Sequence, residues 1–188
     1  MKKFLLSMFL ILGISSFALE LTSSGIKDGV IEKKYGTYGK DQFHGMPTLS
    51  IPFEWKNAPA GTKEFALVIE DFDAVEAVGV IWLHWLTLIP GDAKALPENA
   101  SATDSKLIQG ENSWWSLIGG SLPKEEVARY GGPVPPNKTH TYTITLYALD
   151  KEMDLKKGFY LNELYDAIDG HVLEKIVLKA KYIKEYQN

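Results

Sequence analysis

The side chains best placed to hold or move a proton fall in three short stretches: Asp71 in GluAspPheAspAla, His84 in TrpLeuHisTrp, and His140 with Tyr142 in HisThrTyr. His84 poses the sharpest question, because it lies inside an apolar run, Val80 to Pro90, that reads as a buried strand. A buried neutral imidazole needs a hydrogen-bond partner, and a buried imidazolium needs a carboxylate or an anion. The nearest acids along the chain, Asp71 and Asp73, end the preceding strand, although each taken alone also reads as a turn or capping residue. Such a set fits several chemistries. It could hold an anion by hydrogen bonds, ligate a metal through two histidines and one carboxylate, or do acid and base work with Tyr142 steadying an oxyanion. It could equally be a polar cluster that only ties two sheets together. No HisGluXaaXaaHis helix and no GlyXaaSerXaaGly elbow supports the hydrolase alternative built on Asp71, His84 and His140.

Positioning these residues requires strands. Leu49 to Trp55, Phe65 to Ile69 and Val80 to Ile89 are apolar segments separated by turn residues, including AlaProAlaGly at 58 to 61 and Pro90-Gly91. Tyr142 to Leu149 alternates most clearly, with Tyr142, Ile144, Leu146 and Ala148 on one face and threonines with Tyr147 on the other. The same period places His84 on a face with Trp82, Leu86 and Leu88. Before the alternating strand, GlyGlyProValProProAsnLysThrHisThrTyr at 131 to 142 reads as a stiff loop that costs little entropy to order. Only Pro123 to Tyr130 and Leu161 to Asp169 look helical, and His171 to Ile183 reads as a last strand. Strands do not alternate regularly with helices, so the expectation is a mainly β domain and not a doubly wound sheet.

The N-terminus carries the pattern of a signal peptide: Lys2 and Lys3, then an apolar stretch from Phe4 to Ile14, then Ser16-Phe17-Ala18. Residues 1–18 are thus expected to be removed, leaving 19–188 as one domain, periplasmic or secreted. The apolar stretch is shorter than the roughly 18 residues of a membrane span. With 20 basic against 24 acidic side chains and no basic cluster, general affinity for nucleic acid or anionic membrane is disfavoured. Zero cysteines exclude disulfides, thiolate metal sites and cysteine nucleophiles. No cofactor motif is present.

The ordered set AspPheAspAla (71 to 74), TrpLeuHisTrp (82 to 85), GlyProValProPro (132 to 136) and HisThrTyr (140 to 142) resembles the phosphatidylethanolamine-binding protein family, in its bacterial branch of Raf-kinase-inhibitor-like proteins. The resemblance runs from about Asp28 to Tyr182. It implies two antiparallel sheets in Greek-key topology with short peripheral helices, and a small pocket for phosphate, carboxylate or a phospholipid head group. Carried over by motif position, Asp71, His84, His140 and Tyr142 form the pocket, with His84 paired to Asp71 and one histidine kept protonated by that acid. Asp73, Trp82 and Pro133 shape the rim, and loop amides near Gly132 add donors. The implied function is ligand binding or modulation of a protein partner, without catalysis, metal or cofactor. Phe72 and Val75 replace the prolines of the family's first motif. Asn137 or Lys138 replaces the glycine after the double proline, which brings a cation near the mouth. A stretch from Leu117 to Tyr130 is extra, and is expected to cover the pocket, narrow it or decorate a surface.

Overall fold

A computed structural model describes residues 17–185. Nearly all of the predicted signal peptide lies outside the described residues. Strand β1 (Glu20–Thr22) opens the fold, followed by β2 (Ile26–Lys27), β3 (Val30–Ile31) and a hairpin of β4 (Gln42–Phe43) and β5 (Met46–Pro47). Strand β6 (Phe53–Lys56) precedes the long β7 (Glu64–Asp71), helix α1 (Ala74–Val78) and β8 (Trp82–Pro90). Then come β9 (Ala95–Leu96), α2 (Ala100–Thr103), β10 (Ile108–Gln109) and α3 (Lys124–Val127). The chain closes with β11 (His140–Leu149), α4 (Leu161–Ile168) and β12 (Val172–Tyr182).

The larger sheet has the order β10-β8-β7-β11-β12-β3-β2, and β1-β6-β9 form a smaller one. Pairing is antiparallel except where Lys181 of β12 meets Val30 of β3. β7 is buried at every position because both of its faces are covered. Phe65, Leu67 and Ile69 join Leu21, Phe53 and Trp55 of the smaller sheet in one core. Ala66 and Val68 face the other way, toward Leu164 and Ile168 of α4. That double burial is why the strand reads as a continuous apolar run with no polar alternate.

β11 keeps its predicted faces: Tyr142, Ile144, Leu146 and Ala148 are fully buried in the first core, and the other face meets α4 as a second layer. The helix predicted from Pro123 to Tyr130 shrinks to Lys124–Val127. It stops early because Tyr130 turns into the core, donating its amide to Ser101 Oγ at 2.8 Å and its hydroxyl to the Tyr35 carbonyl at 2.9 Å. Helix α1 was absent from the sequence reading, yet Asp73 before it and Gly79 at its C-terminus, at φ 82°, are its start and stop signals.

Candidate ligand-binding site

β7 and β8 pair regularly until Ile69 stands opposite Trp85. They then slip, so that Glu70 faces Leu83 and Asp71 faces Trp82. His84 is the extra residue of a β-bulge. The bulge corrects the expected alternation: Leu86 and Leu88 pack toward α4, whereas His84 and Trp82 line a cavity with Asp71 on the opposite face. A strict period of two would have sent the imidazole into the helix-facing core.

The cavity encloses about 390 Å³. Asp71 and His84 provide its polar side; Trp82, Trp114, Val78, Ile118 and Val134 are among its walls. His44 reaches the mouth from a two-residue turn in which His44 and Gly45 both have positive φ, the geometry that suits a tight hairpin.

The hydrogen bonds differ from the expected pairing. Asp71 is 3% exposed, and its Oδ2 lies 2.6 Å from Nδ1 of His140, not of His84. Its Oδ1 accepts the Ala74 amide at 3.2 Å, which ties the end of β7 to the first turn of α1. His140 is fully buried, and its Nε2 sits 2.7 Å from Asn137 Oδ1. Both ring nitrogens of His140 are therefore committed, and His140 does not line the cavity.

His84 is held by the loop instead. Its Nδ1 donates to the Gly131 carbonyl at 2.6 Å, and the Gly131 amide returns a bond to the His84 carbonyl at 2.8 Å. A carbonyl only accepts, so the Nδ1 proton is assigned and Nε2 of the neutral ring keeps a lone pair. That Nε2 is buried and has no partner. Desolvation pushes the His84 pKa down, outweighing the opposing charge of Asp71. Of the two histidines that the acid was expected to hold, Asp71 thus bonds His140, and burial disfavours the charged form of His84.

Tyr142 stands edge-on to His84, with ring centroids 5.0 Å apart. Its hydroxyl is buried beside the Asp71 carboxylate, and burial followed by the Asp71 charge pushes its pKa far up; like His140, Tyr142 does not line the cavity. It remains a phenol.

The other predicted residues serve as supports. Asp73 accepts the Thr141 amide at 2.8 Å and lies outside the cavity lining. The Gly132 amide donates to the Pro47 carbonyl at 2.8 Å, so it is not the free donor expected, and the Pro133 carbonyl accepts the Thr37 amide at 2.8 Å. A Cβ on Gly132 would lie 2.1 Å from the Tyr35 carbonyl oxygen, which explains a glycine there. Lys138 pairs with Glu76 of α1, so the expected cation at the mouth is already neutralised. A two-histidine, one-carboxylate metal site does not form among the described residues. Trp114, just before the extra segment, and Ile118 within it also line the cavity. Their signal was an uncharged aromatic stretch beside a cavity that only the fold creates.

Residues 22–183 match the family model described as phosphatidylethanolamine-binding protein. The chain belongs to that family. Its likeness to an uncharacterized Bacillus subtilis protein, YxkA, is 42% identity over 147 residues, covering 76% of this chain and 88% of the relative. Among solved structures, a phosphatidylethanolamine-binding protein homolog from Chlamydia trachomatis superposes with a TM-score of 0.70 at 28% identity, over 89% of this chain and 99% of that one. Escherichia coli YbcL shares the fold with a TM-score of 0.70 at 22% identity, over 90% and 100% of the two chains. Membership in the phosphatidylethanolamine-binding family supports ligand binding or regulation as the class of function.

Proposed function

We propose that the chain is an exported, non-enzymatic binding protein whose cavity receives the acid group of a small phosphorylated or carboxylated ligand. One observation carries the reading. His84 lines the cavity and its Nε2 is buried and unpartnered, whereas Nδ1 of the same ring and both ring nitrogens of His140 are satisfied. Leaving such a group unpaired is costly, and a bound ligand removes the cost.

The proton count follows from the geometry. His84 is neutral and accepts at Nε2, whereas Asp71 adds negative charge close by. A fully ionised ligand would meet a lone pair and a carboxylate. The ligand must therefore bring a proton, as a phosphate monoester monoanion does, or draw one onto His84, which then donates. Either way binding takes place with one proton more than the separated fully ionised partners carry. Affinity then falls as pH rises, approaching about tenfold per pH unit above the relevant pKa.

Export rests on the N-terminal pattern together with the start of the fold. Leu19 is 2% exposed and its amide donates to Glu174 Oε1 at 2.9 Å. Cleavage after Ala18 would set a new α-ammonium group against that carboxylate. Mass spectrometry of the exported protein is expected to find Leu19 first; an intact Met1 would remove export from the proposal.

Calorimetric titration with O-phosphoethanolamine at pH 6, 7 and 8 tests the binding reading. The expected result is saturable binding that weakens with pH, takes up a proton in buffers of differing ionisation enthalpy, and is lost in a folded His84→Ala variant. Binding of equal strength in His84→Ala would reject the site.

A further inference from the structure

Asp71 and His84 explain the polar side of the cavity; the rest of its lining is mostly apolar, apart from the unpartnered indole N–H of Trp114. Part of that lining comes from the start of the extra segment and the residues just before it. Residues 112–123, AsnSerTrpTrpSerLeuIleGlyGlySerLeuPro, carry no ionisable side chain. The segment is held in one shape by its own hydrogen bonds. Asn112 Oδ1 accepts the Trp114 amide at 2.9 Å, and the amides of Ser116, Gly119, Ser121 and Leu122 donate to carbonyls of Ser113, Ser116 and Trp114. Gly119 is required at the crossing, because a Cβ there would lie 2.6 Å from the Ser113 carbonyl oxygen. The result is a fixed wall. Trp114 meets Trp82 edge-to-face at 5.9 Å, and Ile118, 55% exposed, stands at the mouth beside them.

We propose that this wall is a selectivity subsite for an aromatic ring, so that the preferred ligand is a small aryl phosphate or aryl carboxylate. Its acid group meets His84, and its ring completes the Trp82–Trp114 corner beneath Ile118. This rests on the acid-binding reading and adds the identity of the rest of the ligand. An acid group alone would leave most of a cavity of about 390 Å³ unfilled. A perpendicular tryptophan pair offers one face and one edge, and a third ring packs on either at about 4.5–7 Å between centroids. A ring also loses less conformational freedom on binding than a flexible chain of equal area. A cationic tail is not selected, because the nearby carboxylate of Asp71 is already engaged by His140 and Ala74.

The experiment compares methyl phosphate, phenyl phosphate and octyl phosphate by calorimetry and tryptophan fluorescence, beside phosphatidylcholine vesicles containing a phosphate monoester lipid. Phenyl phosphate is expected to bind at least about tenfold more tightly than methyl phosphate, the scale of burying one apolar group in a formed pocket. Ile118→Ala and Trp114→Leu, each checked for an unchanged melting temperature, should bring that ratio toward one. Equal affinities for the methyl and phenyl esters overturn the ring subsite and leave the acid site standing. Tighter binding of octyl phosphate or of the vesicles than of phenyl phosphate overturns it in favour of a chain or a bilayer. No binding of any probe overturns both readings.

Discussion

His84 and His140 stand on strands of one sheet, are both buried, and approach the same carboxylate, yet only one has chemistry to spare. His140 uses both ring nitrogens, on Asp71 and Asn137. His84 uses one, on the Gly131 carbonyl, and leaves the other open beside the cavity. Burial and residue type do not separate a structural histidine from a binding one. The count of unused hydrogen-bonding valences does, because a buried polar atom without a partner is a cost that a fold keeps only for a reason.

The largest expected effect breaks the structural half of this comparison. His140→Ala leaves Asp71 buried without its partner, and should cost about 3–5 kcal/mol in denaturant unfolding. A midpoint close to wild type would mean that Asp71 has another means of support. His84→Ala should cost less, about 1–2 kcal/mol, since only the Gly131 carbonyl loses its donor, while ligand binding disappears. If the two variants exchanged these phenotypes, the roles assigned to the histidines would be reversed.

Acid titration of stability sharpens the contrast further. His84 has its pKa lowered from 6.5 in the fold, so the native state binds fewer protons than the unfolded chain. Its contribution is present above 6.5 and is lost as pH falls below that value. Glu64 acts in the opposite sense. Burial raises its pKa from 4.5 to about 7, so its contribution is present at low pH and is lost as pH rises between those values. Stability measured from pH 4.5 to 7 should therefore rise more steeply with pH in Glu64→Gln than in wild type, and a double variant with His84→Gln should flatten it. Unaltered slopes in both would show that neither group titrates differently on folding.

Tyr142→Phe gives the smallest change in stability, within about 1 kcal/mol, because it removes a hydroxyl that has no partner. Affinity for a phosphate monoester should change little, because Tyr142 does not line the cavity. A large loss of stability would reveal a native bond for that hydroxyl.

Much of the fold was legible because its signals are local. Phe65 to Ile69 and Tyr142 to Leu149 carry their burial in their own residue order, and Leu161 to Ile168 carries a helical stripe that ends near Gly170. The short α1 was missed because it has only five residues, and because Asp73, which signals its start, spends its carboxylate on Thr141. Most of the site residues were named from ordered motifs, but their roles were not. Gly132 and Pro133 have the residue types of a ligand-binding loop, yet their backbone groups are spent on Pro47 and Thr37.

Sequence alone was enough for the mainly β class, the family and the set of polar residues, since these depend on composition, local periodicity and motif order. Tertiary structure decided which histidine holds Asp71, which face receives His84, and which loop atoms are already used. The physical reason is range. Asp71 and His140 meet across 69 positions of chain, and one inserted residue in β8 reverses a face that local alternation assigns with equal ease either way.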